Sequence, residues 1–131
     1  NGGQVFRVPT RALRDPKPRA LGDYKIESYG RKPRVCDSMT IDAKGNLYFG
    51  DIQNGAITQH LIGEEPTNQY GLLIDDSRIV WPDGLCFGTD GKLHFFCSQL
   101  QRSAVYSGKS KPPPEFQIFK IRGEAEGMVG R

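Results

Sequence analysis

Apolar and polar residues alternate through two stretches of the chain that share one layout. The first runs through Met39 and Ile41 to a turn at "AKGN" and continues as "NLYFGD". The second runs through Leu85 and Phe87 to a turn at "TDGK" and continues as "KLHFFCS". Alternation with a period of two is typical of strands with one buried face, and glycine suits the tight turn between them. Each stretch therefore predicts a β-hairpin.

The two predicted hairpins are copies of one sequence unit. An offset of 46 positions aligns residues of the same chemistry in both, which are Asp37 with Asp83, Met39 with Leu85, Gly45 with Gly91, Leu47 with Leu93, Phe49 with Phe95 and Gln53 with Gln99. Hairpin patterning explains the alternation but not the shared Asp, Gly and Gln positions. A four-stranded antiparallel unit that repeats at about 40 to 50 residues is typical of a β-propeller blade.

The remaining segments supply the other strands of these units. We predict "GAITQHLI" and "SAVYSG" as third strands, "DSRIVW" and "PEFQIFKIR" as fourth strands, and "QVFRVPTRAL" with "GDYKIESYG" as the second half of a preceding unit. The predicted fold is all-β, a partial propeller of about two and a half blades. Its parts are a half blade at 1–35, complete blades at 36–82 and 83–122, and a flexible tail at 123–131.

Composition narrows the classes of partner. The chain has 131 residues with 18 basic and 15 acidic side chains, and its densest basic run has no aromatic residues between the charges. We therefore expect no nucleic-acid partner, and no apolar run is long enough to predict a membrane partner. Because a propeller closes with about 4 to 8 blades, the remaining blades must come from the same or another chain. Cys36, Cys86 and Cys97 are too few for a disulfide scaffold, and their pairing stays open.

Asp37 and Asp83 stand at the same position of consecutive units, where the first strand begins. The first strands of propeller blades line the central channel, so we expect both carboxylates at its mouth. There they could bind a cation, receive an amine or share a proton. The alternative is that each carboxylate caps its own turn by accepting local backbone N–H bonds.

Other side chains could shape the same mouth. Trp81 either packs between blades or stacks on a ligand. Polar residues at the ends of second strands are further ligand-binding candidates, namely Gln53, Asn54 and Ser98. Asp42 and Asp51 lie near turns and strand ends, and we interpret them as structural. The sequence has no nucleophile motif, P-loop or zinc-spaced Cys/His cluster, so catalysis through a covalent intermediate has no support. Whether the protein is an enzyme of another kind stays open.

Three phrases carry a family resemblance, namely "IQNGAI", "WPDGLCF" and "DGKLHFFCSQLQR". Together with their order they resemble the C-terminal part of the major royal jelly protein/yellow family, over roughly residues 4 to 122. The resemblance implies a six-bladed, secreted propeller, of which this chain is about the last third, although "NGGQVFRV" does not read as a signal peptide. It also implies that the channel binds small molecules, among them biogenic amines. We expect no cofactor. Dopachrome chemistry is not transferred, because Trp81, His94 and Gln99 depart from the family pattern.

Two alternatives accompany this interpretation. The phrase "PDGLCFGTDGKLHFFC" also resembles the gluconolactonase-like propellers, which are metal-dependent hydrolases. By that resemblance Asp83 would be a metal ligand and catalytic base, Asp37 would stand where an Asn ligand is usual, and the metal would be a divalent cation such as calcium. The other alternative is a structural or storage protein in which both Asp residues only cap turns.

Overall fold

The computed structural model of the chain describes residues 3–14, 25–32, 35–61, 70–108 and 115–128. Within these ranges the strands form three antiparallel sheets, which confirms the all-β class. The first sheet pairs β1 (Gln4–Arg7) with β2 (Glu27–Arg31). The second has the order β3 (Cys36–Ile41), β4 (Leu47–Asp51), β5 (Ala56–His60) and β6 (Gly71–Asp75). The third has the order β7 (Pro82–Phe87), β8 (Leu93–Cys97) and β9 (Gln117–Ile121).

Both predicted hairpins are present, as β3–β4 and β7–β8. Their turns contain Gly45 with a φ of 96° and Gly91 with a φ of 71°, a region that glycine reaches without steric cost. The copies also share an irregularity, because each first strand shifts register at its aspartate, between Cys36 and Met39 in β3 and between Asp83 and Leu85 in β7. Such bulges redirect side chains at strand ends.

Two predicted strands are wrong. The segment "SAVYSG" is not a third strand, because Ala104–Ser107 form a helical turn, α2, after a 3₁₀ turn at Leu100–Arg102. The strand that pairs with β8 in its place is β9. The backbone of Gln99 is left-handed there, which turns the chain out of the sheet. The segment "DSRIVW" contains a tight turn, in which the Ile79 N–H bonds the carbonyl of Asp76, and the preceding Gly71–Asp75 is the strand. One further helical turn, α1, covers Thr10–Leu13.

The main core lies between the second and third sheets. Its buried members come from both sheets and from the turn between them, and they are Tyr48, Ile57, Ile79, Leu85, Leu93, Phe95 and Cys97. A smaller cluster joins the first and second sheets through Val5, Cys36, Leu47 and Phe49. Burial of these apolar side chains is the main favourable contribution to folding.

The packing of the two larger sheets sets β3 and β7 side by side in the same direction. At the beginning of β7, Trp81 contacts Asp37, which lies at the beginning of β3. At its end, Phe87 packs edge-on against Tyr48 with the ring centroids 5.4 Å apart. Tyr48 is opposite Thr40, near the end of β3. The two first strands therefore begin at one common end of the molecule.

The segment Gly123–Gly127, which we name the C-terminal strap, crosses from the third sheet onto the second. The sequence predicts a flexible tail at 123–131; its last residues, 129–131, lie outside the described ranges, whereas Gly123–Gly127 makes specific contacts. The Ala43 N–H donates to the Glu126 carbonyl at 2.8 Å, and the Glu124 N–H donates to the Tyr48 hydroxyl at 2.8 Å. A bridge between Asp42 and Gly127 completes the crossing.

Asp42 organises the turn beneath the strap, in agreement with its structural interpretation. Its side chain is 0% exposed and accepts four hydrogen bonds, from the Lys44 N–H, the Asn46 N–H, the Asn46 amide and the Tyr48 hydroxyl. Burial raises the pKa of Asp42, but these donors outweigh burial and the net effect is a lowered pKa. The carboxylate is therefore ionised in the native protein at neutral pH.

The three cysteines are free and differ in exposure, which gives a test of the fold. Cys36 and Cys97 are buried, and burial raises the pKa of both thiols, whereas Cys86 is exposed. We expect Ellman's reagent to modify one thiol rapidly in the folded chain and the other two at least ~100-fold more slowly, because they react only after opening. Cys86→Ser should remove the fast phase alone. Rapid reaction of all three thiols in the folded chain would contradict this packing.

Candidate functional site

The common end of β3 and β7 holds the contact that joins the candidate residues. The indole Nε1 of Trp81 donates to Oδ2 of Asp37 at 3.1 Å, across 44 positions of sequence. Asp37 belongs to the second sheet, and Trp81 directly precedes the first strand of the third. This end of the molecule therefore places an exposed carboxylate beside an aromatic ring.

Asp83 occupies the equivalent position on β7 but makes a local bond. Its Oδ1 accepts the N–H of Gly84 at 2.9 Å, and the residue is half-buried. A local bond to a backbone N–H is what the turn-capping alternative predicts for Asp83. Oδ2 of Asp83 accepts no hydrogen bond from the described residues.

Ser98 lies at the same end, directly after β8. Its N–H donates to the carbonyl of Trp81 at 3.2 Å, and the residue is 3% exposed. Its hydroxyl has no hydrogen-bond partner among the described residues, and the same holds for the buried hydroxyl of Ser38 beside Asp37. A buried polar group without a partner costs about 1–3 kcal/mol. Both oxygens are closed to solvent, so they do not face an open site in this structure.

Gln53 and Asn54 lie in the exposed turn between β4 and β5. The Asn54 backbone N–H donates to Oδ1 of Asp51 at 3.0 Å, and the Asn54 amide donates to Oδ2 at 2.8 Å. Asp51 is opposite Cys36, so this turn belongs to the same end of the second sheet as Asp37. The Asn54 amide is occupied by the turn, whereas Gln53 is exposed.

Gln99 follows Ser98 at the same end of the third sheet. It is 5% exposed, and its Oε1 accepts a bond from Arg102 at 2.8 Å. Gln99 and Trp81 are the two non-glycine residues with positive φ among the described residues, at 49° and 58°. A left-handed backbone at a non-glycine residue costs roughly 1–2 kcal/mol. Such strain persists where the surrounding structure enforces it, often at functional sites. The repeat in the sequence pairs Gln99 with Gln53.

Two features of other function classes are absent from the described ranges. These residues contain no group of three or more His, Cys, Asp or Glu side chains placed to hold a metal ion. No helix in the described part is long and apolar enough to cross a membrane.

Comparisons with protein-family models and with curated proteins add no relative. No protein-family model matches the chain, and no curated protein matches it significantly. The site must therefore be interpreted from its own geometry.

Proposed function

We propose that the chain is part of a secreted propeller of the major royal jelly protein/yellow type, which binds a small polar or aromatic amine where β3 and β7 begin. The observation that carries the ligand proposal is the pairing of the Asp37 carboxylate with the Trp81 indole. An ammonium group can pair with the carboxylate and lie over the face of an adjacent aromatic ring.

The agreement between the second and third sheets supports the propeller architecture. The first strand of each sheet has an aspartate at a bulge near its beginning. The two first strands run side by side in one direction. In the first sheet, β1 pairs only with β2 among the described strands. Beside it lies an apolar cavity of about 580 Å³, lined by side chains that include Phe6, Met39 and Ile41. We infer that strands of the remaining blades, from the same or another chain, fill this cavity.

The ligand proposal predicts a specific loss on substitution of Asp37. For Asp37→Asn in the 131-residue chain, we expect binding of 2-phenylethylamine to weaken at least ~10-fold, because the ammonium loses its charged acceptor. Asp83→Asn should weaken binding less, because Oδ1 of Asp83 already accepts the Gly84 N–H. Isothermal titration calorimetry over a panel of amines measures both effects.

Asp75→Asn is the matched control, since it removes the same charge from an exposed position at the end of β6. Its affinity for the amine should equal that of the wild type. Heats that are flat for every amine in the panel would contradict the proposal and favour a structural or storage role. Binding or hydrolysis that requires calcium and disappears with a chelator would favour the metal-dependent hydrolase.

A further inference from the structure

The bond between Trp81 and Asp37 occupies the atom that a ligand amine would need. Oδ2 of Asp37 accepts the indole N–H at 3.1 Å, and a carboxylate oxygen so engaged is partly closed to another donor. The indole is a neutral donor with a single N–H, whereas an ammonium has three N–H groups and a full charge. An ammonium is therefore the stronger partner for this carboxylate.

The backbone holds the indole in this place. The φ of Trp81 is 58°, and its carbonyl is fixed by the N–H of Ser98. The side chain leaves a strained backbone and reaches from the third sheet to the second. Its ring also lies 5.9 Å from that of Tyr106, at a tilt of 52°. Tyr106 belongs to the short helix α2 and is 65% exposed, so the indole has an aromatic neighbour in the segment that follows β8.

We propose that Trp81 is a displaceable lid over Asp37, which its N–H occupies in the free protein and which an incoming amine takes over. This inference rests on the proposed amine site and adds its regulation. On binding, the ammonium replaces the indole N–H at Oδ2 of Asp37. The released ring turns toward Tyr106 about the same fixed backbone, and its face then borders the ligand.

The lid predicts that removal of one N–H improves binding. In Trp81→Phe an aromatic ring remains but cannot donate to Asp37, so the amine no longer competes with it. We expect the dissociation constant for 2-phenylethylamine to fall about 3- to 5-fold. Trp81→Ala also removes the competing donor but loses the aromatic wall, so its affinity should be weaker than that of Trp81→Phe. Circular dichroism and thermal melting establish that each variant is folded.

The wild-type chain supplies a second measurement that needs no substitution at Trp81. Trp81 is the single tryptophan, so its fluorescence reports the lid alone. We expect a saturable change in emission with the dissociation constant found by calorimetry. In Asp37→Asn the amide oxygen can still accept the indole N–H, so the resting emission should be kept while the response to the amine is lost.

The outcomes separate the two proposals. If 2-phenylethylamine binds but Trp81→Phe binds it equally or more weakly, the lid is wrong and the amine site stands. Calorimetric binding without any change in the emission of Trp81 would also overturn the lid. If neither the wild type nor Trp81→Phe binds an amine, the site and its lid are both rejected.

Discussion

Replacement of Asp42 by alanine should lower the free energy of unfolding by roughly 4 kcal/mol. The side chain is fully buried and accepts four hydrogen bonds, two of them from backbone N–H groups. Its removal leaves the Asn46 amide and the Tyr48 hydroxyl without their shared acceptor in the core. Tyr48 also accepts the N–H of Glu124, so the C-terminal strap should loosen as well.

Urea unfolding followed by circular dichroism measures this loss. Asp75→Ala is the matched control, because Asp75 is an exposed carboxylate at the end of β6, and we expect it to change the unfolding free energy by about 0.5 kcal/mol or less. A loss for Asp42→Ala as small as that of the control would contradict the buried network.

The same network gives the stability a defined dependence on pH. The lowered pKa of Asp42 contributes stability above the unfolded value of about 3.9, and this contribution is lost as the pH falls through the folded pKa. Burial, followed by the Asp42 hydrogen bond and charge, raises the pKa of Tyr48 from 10.0 to about 12. The stability that this rise contributes is complete below pH 10 and is lost between pH 10 and 12. Asp42→Ala should reduce both dependences, which unfolding at a series of pH values tests.

Gly50→Ala should cost roughly 3 kcal/mol, because it forces the second and third sheets apart. A methyl group at Gly50 would lie 2.5 Å from the carbonyl oxygen of Pro82 and 2.9 Å from Oγ of Ser38. The first of these atoms belongs to the backbone of β7 and cannot rotate away. Because the displaced strand follows Trp81 directly, the bond between Trp81 and Asp37 should lengthen too.

Gly71→Ala is the matched control for Gly50→Ala. A methyl group at Gly71 would meet its nearest neighbour, Cγ of Gln59, at an ordinary contact distance of 3.6 Å. We expect the control to melt within a few degrees of the wild type. Gly50→Ala should melt roughly 10 °C lower, with an altered emission from Trp81. A wild-type melting temperature for Gly50→Ala would show that the sheets are not packed this closely.

Local pattern was sufficient to predict the hairpins and insufficient for the segments after them. The β3–β4 and β7–β8 hairpins combine period-two alternation with a turn glycine, so pairing and turn agree. "SAVYS" has the composition of a strand, but the preceding left-handed Gln99 and the 3₁₀ turn direct it into a helix. "DSRIVW" is apolar at its end, but the Asp76–Arg78 ion pair closes a turn at its beginning. In both cases backbone geometry prevailed over composition.

The candidate site was likewise predictable from the sequence only in part. The repeat predicted that Asp37 and Asp83 are equivalent, and the shared bulges agree with that prediction. The contact between Trp81 and Asp37 depends on how two sheets pack sideways, which no local pattern encodes. The contact of the C-terminal strap with Tyr48 was inaccessible for a related reason, because Tyr48 and Glu124 are 76 positions apart in the chain.

The C-terminal strap also bears on the timing of folding. During synthesis the second sheet leaves the ribosome long before Glu124 and Glu126, yet the Tyr48 hydroxyl and the Ala43 N–H have their strap partners in those residues. Contacts that are distant in sequence form late and slowly, because a long loop must close first. A nascent chain that ends before Glu124 would therefore hold its first hairpin with an unfinished core, and a chaperone could recognise it at that stage.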